Sequence, residues 1–297
     1  MNYNVQDIKD DEIRIIGGEG DNGKKPQGWK WLLLLLAGIV IGIVIWQALP
    51  SKQDPPEKEQ MESGYFDPAT VAPEQPDVKL PLSKIEAADH AFIEMLDTII
   101  NDIPMKLYIP HMMSCSLYLG VIDRDDPSIL FAAQAADVRA DNGGIVGAFV
   151  LKGEPKAWGL SKKGFCAIIN DTVTVGVADN SPLFEEATEK EGYFFRQFPL
   201  VDEGQLVENE QRGKAVRRAI CDRNGEIFTV ETLTDESFHD FAQALVDLGV
   251  DNAIYLVGAS AYGWATDAAG QRHEFGNPAP PKKKWKNISY LVMKEKA

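Results

Sequence analysis

The chain has 297 residues, 44% hydrophobic and 25% charged, the balance of an ordinary globular protein with one large or two small domains. Its formal charge of −15 excludes a nucleic-acid groove, because phosphate binding draws on clustered Lys and Arg. Cys115, Cys166 and Cys221 are odd in number and widely spaced, and the four histidines show no ligand spacing, so neither a disulfide framework nor a metal or cofactor is expected.

In chain order, the first pattern is residues 31–46, WLLLLLAGIVIGIVIW, which carry no charge. Extended from Trp31 to Leu49, the run makes about 28 Å of helix, close to the hydrocarbon thickness of a bilayer. Trp29, Trp31 and Trp46 stand near its ends, where indole rings favour the lipid–water boundary. Arg14, Lys24, Lys25 and Lys30 precede the run and only Lys52 and Lys58 follow soon after. This bias predicts a single-pass signal anchor over 29–50, with a cytoplasmic tail over 1–28 and the remainder periplasmic or extracellular. Gly38 and Gly42 form a GxxxG pair through which two spans could meet as a homodimer. Residues 51–81 are rich in Pro, Glu, Asp and Gln and predict an extended tether.

The folded domain is expected over 82–297. Ser83 and Glu86 form a capping box, followed by Phe92, Leu96 and Ile99 at helical spacing, which predicts a helix ending before Pro104. Short β-rich runs follow: SLYLGVID, SILFAAQA, GIVGAFVLKG, GFCAIIN and TVTVGVA, the last two joined by a turn at Asn170-Asp171. DNGGIVG, at 141–147, reads as a loop before a strand, since no helix pattern follows it. Asn224-Gly225 predicts a two-residue hairpin turn inside AVRRAICDRNGEIFTVET. The amphipathic run 233–249 predicts a helix ended by Gly249, and AIYLV a buried strand leading into the small-residue turn GASAYG. NISYLVM closes the chain as a further strand. The sum is an α+β domain, one mixed sheet with flanking helices.

The order of hairpin, helix, apolar strand and small-residue turn resembles the phosphodiester glycosidase family, relatives of the lysosomal enzyme that removes N-acetylglucosamine from a phosphodiester. RRAIC at 217–221 is similar to that family's R-x-A-I-G strand, and AIYLVGAS at 253–260 to its A-L-x-L-D-G-G-x-S segment. FPLVDEG at 198–204 resembles its S-G-P-x-L-V-x-x-G stretch. Several positions depart: Val257 stands where the family has an acidic residue, Cys221 where it has glycine, Gln197-Phe198 for its Ser-Gly, and Gln134 for an asparagine.

The resemblance implies action on, or binding of, glycosyl phosphodiesters of envelope glycans. Arg217 would hold the phosphate in one pocket with Ser260, and Asp267 is the candidate carboxylate; Asp267, like Asp137 and Asp141, reaches the site only if its loop folds back. Gln134, Gln197 and Gly258 are the candidate substrate-binding positions. A degraded family member that binds glycans or proteins through the same cleft is the alternative, because Val257 can neither carry charge nor exchange a proton.

Overall fold

The protein is described by a computed structural model over residues 89–278 and 287–296. The chain opens with a hairpin, β1 (Phe92–Ile100) and β2 (Ile103–His111), followed by β3 (Met113–Leu119) and β4 (Ile129–Gln134). A second run comprises β5 (Ala148–Leu151), β6 (Glu154–Trp158), β7 (Gly164–Ile169), β8 (Thr172–Val177), the short helix α1 (Leu183–Glu189) and β9 (Tyr193–Gln197). Then come β10 (Pro199–Asp202), β11 (Gln205–Leu206), β12 (Arg218–Arg223), β13 (Glu226–Thr232), helix α2 (Phe238–Asp247) and β14 (Asn252–Leu256). The chain ends with β15 (Gly263–Thr266), β16 (Arg272–Phe275) and β17 (Ser289–Glu295).

These strands form three antiparallel sheets. The first has the order β1-β2-β13-β12-β14-β10-β11, the second β16-β15-β4-β17-β3 and the third β6-β5-β9-β7-β8. One face of the first sheet is covered by α2, whose Phe238, Phe241 and Leu245 pack on Met105, Leu107, Ala219, Cys221 and Phe228. Its other face meets the second and third sheets in a shared core, with Ile220, Ile254 and Leu256 against Phe131, Leu291, Phe149 and Phe195. Because side chains alternate along a strand, Ala219 and Cys221 look toward α2 whereas Ile220 looks into the core between sheets. Gly164, the first residue of β7, lies so close to the first sheet that a Cβ there would stand 2.6 Å from the Gln197 carbonyl and 2.7 Å from Ile254. Only glycine allows that approach.

The structure corrects the expected fold class. The described chain is mostly β, in three antiparallel sheets, with helices of only seven and ten residues. The helix expected before Pro104 is the β1–β2 hairpin, in full register from Phe92↔His111 to Ile100↔Ile103. Its turn residues Asn101 and Asp102 have φ of 51° and 62°, the left-handed pair of a two-residue hairpin turn. Other expectations match. Asn170-Asp171 joins β7 to β8 and Asn224-Gly225 joins β12 to β13. The helix expected over 233–249 forms over Phe238–Asp247, where Ser237 accepts the Asp240 amide at 3.0 Å as its cap, and β14 lies internal to its sheet between β12 and β10.

The single-pass membrane topology is corrected as well. Among the described residues no helix is long and apolar enough to cross a membrane. The expected tail, anchor and tether over 1–81, with Trp31, Leu49, Gly38 and Gly42, lie outside the described residues.

Candidate site at the junction of the three sheets

The ends of β4, β9 and β14 converge. Past β14, the Val257 amide donates to the Gln134 carbonyl at 3.0 Å, tying the first sheet to the end of β4 in the second. Gln197 ends β9 and is fully buried. Its Nε2 donates to the Ala135 carbonyl at 3.2 Å, while its Oε1 accepts the Phe198 amide at 3.0 Å and Lys162 Nζ at 2.7 Å. One amide side chain therefore ties the end of β9 to the segment after β4 and to Lys162, with both ends satisfied.

Lys162 completes this cluster. Its ammonium donates to Asp137 Oδ2 and lies 4.3 Å from the centre of the Phe198 ring. The Lys162 side chain is 6% exposed and that of Asp137 33%, so the pair is closed on the cation side and open on the carboxylate side. Burial pushes the Lys162 amine below its ordinary range, and the Asp137 carboxylate opposes that shift in part. The backbone at Lys162 is left-handed, with φ of 68°, a conformation that costs a side-chain-bearing residue about 1–2 kcal/mol. Arg196 holds it there. Its buried guanidinium donates to the carbonyls of Lys162 at 3.0 Å, Ala178 at 2.9 Å and Asp179 at 3.0 Å.

The small-residue turn after β14 lies beside this junction. Gly258 donates its amide to the Tyr255 hydroxyl at 3.0 Å, and a Cβ there would sit 2.3 Å from the Val216 carbonyl, so the position must be glycine. Ala259 donates to the same Val216 carbonyl at 2.8 Å with φ of 50°. The Ser260 side chain is exposed.

The arginine that grips this turn is Arg218. Its Nη1 donates to the carbonyls of Val257 at 3.1 Å and Ala261 at 2.8 Å, its Nε to Glu231 Oε2, and its guanidinium stacks 4.5 Å over Phe275. Arg217 points to the opposite face of the sheet. There it donates to the carbonyls of Glu236 and Gly213, each at 2.7 Å, and lies 4.4 Å over the Phe238 ring of α2. Arg217 and Ser260 thus have neighbouring backbones and separate surroundings. Asp267 stands at the other end of β15 from Ser260, roughly 13 Å of strand away. Its carboxylate accepts from His273 at 2.8 Å and from the Ala269 and Gln271 amides, and the His273 bond holds it below the usual carboxylate range.

Of the expected positions, then, Gln134, Gln197 and Gly258 come together at the junction, while Arg217 and Asp267 do not join them. Asp137 arrives because the chain after β4 turns back through its isolated bridge, Val138↔Ile145. Lys162, Arg196 and Arg218 had no local signal. Only alternation along β12 could have separated Arg218 from its neighbour.

The chemistry at this meeting of sheets is a buried ammonium, a partly open carboxylate and the buried, fully bonded carboxamide of Gln197, with Gln134 contributing its backbone carbonyl. Among the described residues no cluster of three or more His, Cys, Asp or Glu could hold a metal ion.

Such a three-sheet β fold is shared, distantly, with a phosphodiester glycosidase domain. The chain is similar to the zebrafish N-acetylglucosamine-1-phosphodiester alpha-N-acetylglucosaminidase catalytic domain, solved in a form auto-inhibited by its pro-peptide. The two share 14% identity with a TM-score of 0.50, over 72% of this chain and 85% of that one. A hypothetical protein from Synechocystis aligns at 14% identity with a TM-score of 0.49, over 68% of this chain and 62% of that one. No protein-family model and no curated protein sequence matches the chain. At this identity the likeness shows the fold alone.

Proposed function

We propose that the domain recognises glycosyl phosphodiesters at the junction of its sheets. The observation that carries this reading is the Lys162–Asp137–Gln197 cluster, a strained and buried cation beside a half-open carboxylate, in a fold shared with a phosphodiester glycosidase. Lys162 would supply positive charge to a phosphate that displaces Asp137 from it, and the open Asp137 carboxylate offers a hydrogen-bond partner to sugar hydroxyls. Binding is favoured over cleavage because Val257 places a hydrocarbon at the end of β14, and Arg217 and Arg218 are committed to backbone carbonyls and to Glu231.

Hydrolysis is the second reading, favoured by the open carboxylate of Asp137 within hydrogen-bond reach of an ammonium. Cleaving a glycosyl bond needs one group to donate a proton to the leaving oxygen and another to assist water or the sugar cation. Asp137 is the candidate for the second role; Lys162, hydrogen-bonded to that same carboxylate, does not stand across a scissile bond from it. The test is incubation of the full-length protein with N-acetylglucosamine-1-(methyl phosphate), following binding by calorimetry and sugar release by chromatography. Binding without release supports recognition, and release abolished by Asp137→Asn supports hydrolysis. Absence of both removes the proposal.

A further inference from the structure

The Lys162 ammonium has three N–H donors. One goes to Asp137 Oδ2 and one to Gln197 Oε1, 2.7 Å away. The remaining partner is an aromatic face, because the nitrogen stands over the Phe198 ring, 4.3 Å from its centre. Burial drives the amine toward its neutral form, and an electron-rich ring face opposes that shift as a carboxylate does. Phe198 is fixed where this contact needs it. It is the single residue between β9 and β10, so both strands set its backbone. Its amide donates to Gln197 Oε1 at 3.0 Å, the same oxygen that takes Lys162, and its carbonyl accepts the Tyr255 amide at 2.9 Å. Phe238, at the start of α2, meets the ring edge-on with centres 5.7 Å apart. The other charged groups nearby are engaged elsewhere: Arg196 with the Lys162 backbone carbonyl, Lys163 with Asp179, and Arg217 over Phe238.

We infer that Phe198 is a positioning residue for the proposed site: its ring holds Lys162 in place and in the charged form that a phosphate needs. This rests on the phosphodiester reading above. The two partners of the ammonium differ in what a ligand does to them. Asp137 is an anion that a phosphate displaces, so its support is lost when the ligand arrives. The ring carries no net charge and does not compete with an anion, so its support persists in the complex. With the Lys162 side chain 6% exposed, the contact acts in a poorly hydrated place, where a cation over a ring is worth most. Phe198 thereby sets the highest pH at which the site holds its ligand.

The experiment compares full-length wild type with Phe198→Leu, Phe198→Tyr and a variant carrying a fluorinated phenylalanine at position 198. Leucine removes the ring, fluorination keeps its shape while withdrawing electron density from its face, and tyrosine keeps the face. Two quantities are followed as pH is raised from neutral: unfolding free energy in urea, and affinity for N-acetylglucosamine-1-(methyl phosphate) by calorimetry. The charge of that diester is constant over this range. A buried amine that sheds its proton early makes stability rise early, because the unfolded chain still holds its own. Expected in the leucine and fluorinated variants is an onset of that rise, and a loss of affinity, roughly one pH unit below wild type. Phe198→Tyr should stay close to wild type. If Phe198→Leu does not fold, the fluorinated variant decides alone. Unchanged onset in the fluorinated variant overturns the inference, and leaves the proposed function standing wherever wild type binds the diester. No binding of the diester by wild type at any pH overturns that function, and a shifted onset then still supports the hold of Phe198 on Lys162.

Discussion

Two buried cation–carboxylate pairs sit where sheets meet, and they differ in how completely they are closed. Arg218 and Glu231 have side chains 3% and 11% exposed, and the Arg218 donors reach both carbonyls of the turn after β14. Lys162 and Asp137 are 6% and 33% exposed, and the strained backbone of the lysine is held from outside by Arg196. The first pair fastens a strand to a turn and leaves no approach for a ligand. The second leaves its acid open to solvent. The contrast teaches that a buried arginine next to a promising motif is weaker evidence for a site than a half-open pair on a strained loop.

That contrast can be broken at its closed end first. Arg218→Leu and Glu231→Gln each strand one buried charge, and each should lower unfolding free energy by about 3–5 kcal/mol in denaturant titration. A loss below about 1 kcal/mol would mean the Arg218 pair is not the fastening it resembles. At the open end, Asp137→Asn should cost only about 1 kcal/mol, since Lys162 can shed its proton when its partner is lost. With Lys162 neutral, the same variant should bind inorganic phosphate more weakly than wild type, and calorimetry reads this directly.

A pH series sharpens the comparison further. The folded-state pKa of Lys162 lies below 10.5, so the buried charge carries its full penalty below that folded value. As pH rises from there toward 10.5, the unfolded chain retains a proton that the folded chain has released, and stability should rise. Relative to wild type, Lys162→Met should lack that rise in urea titrations. An identical pH slope in the two proteins would show that Lys162 is not desolvated. The smallest effect belongs to the first hairpin, where Asp102→Gly should raise stability by up to about 1 kcal/mol by removing a left-handed side-chain residue, measured as a shift in Tm.

Asn224-Gly225 and Asn170-Asp171 gave their hairpins away because each separates two clear β runs. Asn101-Asp102 is the same kind of turn but was hidden by its neighbours. Phe92, Leu96 and Ile99 fall at helical spacing, and both faces of β1 are partly covered, so no period of two shows through. The order from β12 to β14 was legible from its turn, its amphipathic helix ended by Gly249 and its apolar strand. The function of neighbouring arginines was not. Ile220 and Cys221 are both apolar and both buried, on opposite faces of β12, so the sequence pattern could not say which arginine met the turn. Lys162 was invisible for another reason: its partners Asp137, Gln197 and Arg196 come from 25 to 35 residues away, and pairing across sheets leaves no local trace.

A single residue, Phe198, separates β9 in the third sheet from β10 in the first. Polypeptide this short has no slack to act as a hinge, and Gly164 closes the remaining gap from the other side. At the proposed site, room for a ligand would then come from rotation of side chains such as the part-exposed Asp137 rather than from movement of one sheet against the other.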